Sequence, residues 1–220
     1  MKRLILLLTP AGALLAVSLL FAQQSQETER DAGPVPSYEV KRAAGRIVVD
    51  GRLNDTAWNG AGTLKFQFPW DQQTGAKQET AARLLWDDEF LYAGYYCTDA
   101  DIVAHFGNQD DPVYRDDAVE IFINPQPEQT FYYGMEMNAK AVLYDYFFAF
   151  PGPLIKRLDF TGERLATDLR GTLNAHGDKD EGWSLEVAIP WSNFEELAKK
   201  LPPEPGAVWT ANLNRWDGVE

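Results

Sequence analysis

The chain has 220 residues, 45% hydrophobic and 13% aromatic, with a formal net charge of −13. That composition excludes a disordered chain and is enough for one sizeable core. The acidity disfavours nucleic acid and anionic membrane as partners and suits neutral ligands or cations.

Lys2 and Arg3 precede an apolar run, LILLL and then ALLAVSLLF, and Ala22 offers a small residue before QQSQ. This order predicts a signal peptide over residues 1–22 and an exported, periplasmic or extracellular protein with no membrane association after cleavage. Leu20 stands three places before the cut, where Ala is more usual, and an uncleaved anchor is the alternative. Residues 23–37, QQSQETERDAGPVPS, are polar and contain proline, and read as a flexible linker. A single domain is expected over 38–220.

Cys97 is the only cysteine, so no intrachain disulfide can form. It lies in LYAGYYC and reads as a buried strand residue. Stability must then come from a large core or from bound metal.

From Tyr38 onward, short alternating segments are separated by turn residues. RIVVDG reads as a strand ending in a turn. TAARLLWDDEFLYAGYYC reads as a hairpin turning at Asp87-Asp88-Glu89. DAVEIFI is a strand stopped at Asn124-Pro125. FYYGMEMN and AVLYDYFF form a hairpin around Ala139-Lys140. ATDLRGTLNA and GWSLEVAIPW pair across HGDKDE, and VWTANLNRW comes last. Two short helices are expected, at NDTAW with Asn54 or Asp55 as cap and at SNFEELAKKL with Ser192 as cap. This pattern predicts an all-β fold, an antiparallel β-sandwich of jelly-roll or immunoglobulin-like type.

Strand side chains alternate between faces. Val119, Ile121 and Ile123 share one face of DAVEIFI, and Ala118, Glu120 and Phe122 the other. Phe131, Tyr133, Met135 and Met137 read as core, with Tyr132, Gly134, Glu136 and Asn138 facing away. Trp209, Ala211 and Leu213 read inward, with Thr210, Asn212, Asn214 and Trp216 outward. If these strands are neighbours, their polar rows converge on one sheet surface. Carboxylates and amides among aromatic rings suit a sugar, whose C–H faces stack on rings and whose hydroxyls need donors and acceptors. The solvated face of any sandwich shows a similar pattern.

The chain resembles a family 9 carbohydrate-binding module, of the family 9-like branch found in secreted bacterial proteins. The resemblance is carried by VVDGRLNDTAW, ARLLWDDEFLYAGYYCTDADI, YRDDAVEIFINP, FYYGMEMNAKAVLYDY, GWSLEVAIPW and WTANLNRWDG, in that order, over about residues 45–218. It implies a β-sandwich that binds oligosaccharides or polysaccharide chain ends without catalysis, in proteins of carbohydrate catabolism. It also implies two aromatic side chains that sandwich a terminal sugar. Tyr114 holds the first position, where a Trp is usual, and Glu120 holds that of a Glu bonding sugar hydroxyls. A basic residue is usual where this chain has Glu136. The second ring falls beyond Glu220, where family members continue for another strand or two, and Trp216 is the candidate to stand in for it. The candidate ligand-binding set is therefore Tyr114, Glu120, Glu136, Asn138, Asn212, Asn214 and Trp216.

The resemblance further implies structural calcium, which takes several oxygen ligands. The candidates are Asp99 and Asp101 in TDADI with Asp116 and Asp117 at the strand entrance, and Asp110 and Asp111 lie nearby. His105 and His176 read as surface loop residues. Two alternatives remain. Glu120 and Glu136 could serve as the paired carboxylates of a glycoside hydrolase, which lie roughly 5–10 Å apart. A haem-binding DOMON-like sandwich would need axial His or Met ligands, yet Met135 and Met137 read as internal.

Overall fold

The computed structural model describes residues 35–68, 78–149 and 159–218, and the backbone of 154–155. The expected signal peptide and nearly all of the expected linker lie outside the described residues. The strands all fall in one unit, Tyr38–Glu220.

Eleven strands occur among the described residues, in chain order: β1 Lys41–Arg42, β2 Leu64–Lys65, β3 Thr80–Trp86, β4 Phe90–Thr98, β5 Ala118–Asn124, β6 Phe131–Asn138, β7 Leu143–Ala149, β8 Leu154–Ile155, β9 Arg164–Arg170, β10 Gly182–Pro190 and β11 Thr210–Trp216. They form two sheets. One runs β1-β3-β4-β10-β9, with β2 also paired to β3, and the other runs β11-β5-β6-β7-β8. All pairings are antiparallel except the two-residue pairing of β1 with β3. The fold is an all-β sandwich.

Alternation builds the core between the sheets. β4 contributes Leu91, Ala93, Tyr95 and Cys97, and β10 contributes Trp183, Leu185, Val187 and Ile189. From the other sheet come Val119, Ile121, Ile123, Tyr133, Met135 and Met137. Both methionines are thus enclosed by packed side chains rather than presented to a haem. Burial pushes the Cys97 thiol up to about 12, so it behaves as an inert apolar residue. Trp209 and Leu213 pack on this core as the alternation expects, but Ala211 is exposed. It lies on β11, an edge strand, where the facing sheet no longer covers it.

The outer face of the first sheet is also buried. A second cluster of Ile47, Leu53, Ala57 and Trp58 packs against Leu85, Phe90, Tyr92 and Ala188. The segment RIVVDG, expected as a strand, is irregular. Its backbone groups bond to side chains instead of to a neighbouring strand. Val48 N–H donates to Asp55 at 2.7 Å, and Asp50 and Gly51 N–H both donate to Glu186 Oε2 at 2.9 Å. Gly51 has a φ of +87°, and a Cβ there would lie 2.4 Å from the Thr167 carbonyl carbon, so only glycine lets this turn sit on the sheet.

The two expected helices are shorter and tighter than α-helices. NDTAW gives a 3₁₀ turn at Thr56–Gly60 whose cap, Asp55, makes no side-chain capping bond. SNFEELAKKL gives a 3₁₀ turn at Trp191–Phe194 followed by turns. Asn193 is tied into a neighbouring loop, accepting from Thr161 N–H at 2.9 Å and donating to Thr161 O at 3.1 Å. A ten-residue segment is below the length at which helix formation sustains itself, so such contacts decide its shape.

Candidate functional site

β5 is fixed at its entrance by the two aspartates that precede it. Asp116 is fully buried and accepts from His105 N–H at 2.9 Å, Phe106 N–H at 3.1 Å and Asn138 Nδ2 at 2.8 Å. Asp117 accepts from Val103 N–H at 2.6 Å and Gly218 N–H at 2.7 Å. These bonds hold the 102–106 loop and the end of β11 against the start of β5. Val113, buried in a 3₁₀ turn Val113–Arg115, anchors the next ring, so Tyr114 stands half exposed with its ring 6.0 Å from Tyr144.

The register then converges the polar rows. Glu120 is paired with Glu136 of β6 on one side and Asn214 of β11 on the other, and Trp216 is paired with Ala118. Residues directly opposite share a face, with Cβ atoms roughly 4.5–5.5 Å apart. Glu120 is 3% exposed. Its Oε1 accepts from the Trp216 indole N–H at 2.5 Å and its Oε2 from Asn214 Nδ2 at 3.1 Å. Burial holds its carboxyl above the usual range, against the pull of those two bonds. Trp216 is half exposed, so its ring is oriented by Glu120 yet open to a ligand.

Gly134 lets a second layer form. A Cβ there would lie 2.4 Å from the Tyr146 ring, so Tyr146 lies across the glycine and its hydroxyl reaches Glu136. Phe122 lies 5.3 Å from Tyr132 and 6.3 Å from Tyr146, and Tyr132 stacks on Phe148 at 5.1 Å. The result is an aromatic sheet face interrupted by two acids and an amide. A cavity of about 350 Å³ opens on it, lined by Tyr114, Glu120, Phe122, Glu136, Asn214 and Trp216.

Five of the candidate binding residues therefore meet: Tyr114, Glu120, Glu136, Asn214 and Trp216. Asn212 lies on the same face, opposite Phe122 and exposed, but outside the cavity wall. Asn138 lies elsewhere. It is fully buried, donates to Phe106 O and Asp116, and accepts from Lys140 N–H and Val142 N–H at 3.0 Å each. Its amide closes the β6–β7 turn and has no part in the cavity. Phe122 is the lining residue the candidate set lacks. The alternation that selects Glu120 also places Phe122 two residues on.

The metal candidates separate in the same way. Asp99, Asp117 and Asp217 bring ligand oxygens within 4.8 Å of one another. Asp99 accepts from Arg215 at 2.6 Å and from the Trp183 indole at 3.2 Å, and Asp217 accepts from Arg215 at 2.8 Å. Burial and the neighbouring Asp99 push Asp117 up to about 7. Asp101 instead faces His176 at 2.9 Å, and the carboxylate of Asp116 is taken up by the loop. Asp217 was not a candidate. It lies a hundred residues from Asp117, and no local spacing signals the meeting.

Residues 49–206 match the family described as "Carbohydrate family 9 binding domain-like". Among curated proteins, Exoglucanase XynX of Acetivibrio thermocellus is 28% identical over 163 residues, 74% of this chain and 13% of that protein. The chain thus spans about an eighth of the length of that relative. A solved structure from Bacteroides uniformis ATCC 8492 has a TM-score of 0.65 at 19% identity, covering 82% of this chain and 84% of that one. A carbohydrate binding module of family 9 from Caldicellulosiruptor kristjanssonii, solved with cellotriose, has a TM-score of 0.54 at 19% identity, covering 81% and 76%.

Proposed function

The chain belongs to the carbohydrate family 9 binding domain-like family, a family of non-catalytic binding modules, and on that premise we propose where and how it holds its sugar. The ligand is a small sugar or the end of an oligo- or polysaccharide. It lies on the outer face of the β11-β5-β6 sheet, with Tyr114 and Trp216 as stacking rings and Glu120, Glu136 and Asn214 meeting its hydroxyls. The observation that carries this reading is the cavity in which those rings surround two acids and an amide. At about 350 Å³ it is near the low end of the 300–1,000 Å³ typical of ligand pockets, large enough for about one sugar ring. Each carboxylate oxygen keeps a second lone pair for a hydroxyl. Glu120 and Glu136 sit side by side in one sheet rather than across a cleft, which favours recognition over hydrolysis. Calorimetric titration with glucose, xylose and cello-oligosaccharides tests it. A dissociation constant of roughly micromolar to millimolar is expected, since a shallow, wet site leaves little surplus after ordering costs. Absence of heat with every one of these sugars contradicts the reading.

The protein that carries this domain is proposed to be exported and to act beside carbohydrate-degrading enzymes, consistent with the names of its curated relatives.

A hard divalent cation, calcium by preference, is proposed at Asp99, Asp117 and Asp217. Among the described residues, Asp99 and Asp217 share the Arg215 guanidinium, the Asp117 carboxylate lies beside them, and the donors are all oxygen. The cation would join the end of β11 to the loop after β4, one residue from Trp216. Millimolar calcium is expected to raise the melting temperature relative to chelator, because a ligand at a hundredfold over its dissociation constant stabilises by about 2.7 kcal/mol. Asp217 is exposed, so Asp217→Asn should fold and lose this increment. Equal melting curves with calcium and chelator would refute the site.

A further inference from the structure

We propose that Arg215, on the side of β11 away from the cavity, is a positioning residue of the sugar site: it locks this edge strand so that Asn214 and Trp216 stand ready for the ligand. This rests on the carbohydrate reading above and adds to it the device that holds one wall of the cavity in place. β11 ends the strand order of its sheet, and its ladder runs to β5. Its first three residues are exposed. An edge near a chain end opens readily unless something else ties it down. The cavity nevertheless takes Asn214 and Trp216 from this strand.

Arg215 supplies the tie. It is paired with Val119, a core residue, so its side chain enters between the sheets. That side chain is 7% exposed. Nη1 donates to Thr98 O at 2.7 Å, at the end of β4, and Nη2 donates to Asp99 at 2.6 Å and to Asp217 at 2.8 Å. One planar fork thereby joins β11 to the opposite sheet. Asp99 is itself held by the Trp183 indole N–H at 3.2 Å. On the far side of the ring, Gly218 N–H donates to Asp117 at 2.7 Å. A Cβ on Gly218 would lie 2.9 Å from the backbone of Asp116 and Asp117, so the chain passes close to the entrance of β5. Residues 215, 217 and 218 are thus tied. Trp216 between them turns outward, where its indole N–H meets Glu120 Oε1. Arg215 acts on the ligand only through Asn214 and Trp216, because alternation makes their placement on one face depend on the anchor on the other.

Arg215→Lys tests this. Lysine keeps a charge beside buried Asp99, but a single ammonium cannot span Thr98 O, Asp99 and Asp217 as the fork does. Calorimetry with cellotriose is run in chelator, so that a cation at the neighbouring acids plays no part. Affinity about five- to tenfold weaker than wild type is expected, as when the competent arrangement is populated for about a tenth to a fifth of the time. In the sugar-free variant the Trp216 indole N–H resonance, identified by its loss in Trp216→Phe, should move, because its bond to Glu120 is made only part of the time. Glu186→Gln is the control for a general loss of stability. It alters the cover of the other sheet, so affinity within about twofold of wild type and an unmoved resonance are expected. If Arg215→Lys does not fold, Asp99→Asn weakens the same tie from its other end and should act in the same direction. A folded Arg215→Lys, or failing that Asp99→Asn, that binds cellotriose within about twofold of wild type overturns the positioning role and leaves the carbohydrate reading standing. An equal loss of affinity in Glu186→Gln does the same. Failure of the wild type to bind cellotriose, glucose or xylose overturns both.

Discussion

Replacing Glu186 with alanine is expected to remove about 3–5 kcal/mol of stability, a large share of the 5–15 kcal/mol typical of a domain. Glu186 is 1% exposed on the outer face of β10. Its Oε2 accepts from Asp50 and Gly51 N–H at 2.9 Å each, and its Oε1 from Leu53 N–H at 3.2 Å and the Trp58 indole at 2.8 Å. One carboxylate therefore satisfies four donors of the segment that covers the sheet. Truncation leaves those donors without an acceptor, and each buried orphan costs about 1–3 kcal/mol. It also loosens the packing of Leu53 and Trp58 over Gly94, where a Cβ would lie 2.3 Å from Leu53. Glu186→Gln keeps the shape but presents fewer acceptor lone pairs, so an intermediate loss is expected. Denaturant unfolding measures both variants. A loss below about 1 kcal/mol for the alanine variant would show that the cover is held by apolar packing alone.

Replacing Trp216 with alanine is expected to weaken sugar binding by at least tenfold while changing stability by no more than about 1 kcal/mol. The ring is half exposed, so little core is lost. Two things leave the site: a stacking surface, and the indole N–H that donates to Glu120 Oε1 at 2.5 Å. Trp216→Phe separates them by keeping a ring and removing the donor, and its affinity should fall between the two. Tyr114→Ala removes the other ring that lines the cavity, and Glu120→Gln removes the charge-assisted bonds. Both should weaken binding without unfolding the sandwich. If Trp216→Ala and Tyr114→Ala both bind as well as wild type, the sugar lies elsewhere.

The sandwich and the division of its strands into two faces are legible because period-two alternation is a local signal. Val119 against Glu120, Met135 against Glu136 and Leu213 against Asn214 each divide inside from outside within one strand. That these three strands are neighbours is not local, and alternation alone left it open. The register of β11-β5-β6 is what puts Asn214, Glu120 and Glu136 in one row. The misreadings have a common cause. RIVVDG has the composition of a strand, but its donors are claimed by Glu186, which lies some 135 residues away. Asn138 has the right parity for the binding face, but the β6–β7 turn claims its amide. Asp217 joins Asp99 and Asp117 only because β11 returns beside β5. In each case a side chain is assigned by a partner distant in sequence.

The most direct test of the proposed binding face follows the Trp216 indole N–H by two-dimensional nitrogen–proton resonance during titration with cellotriose or glucose. The signal is identified by its loss in Trp216→Phe. A saturable shift of that resonance together with the Asn214 side-chain amide, giving the same dissociation constant as calorimetry, is expected. Saturable binding by calorimetry with both resonances unmoved would contradict the assignment of the sugar to this face.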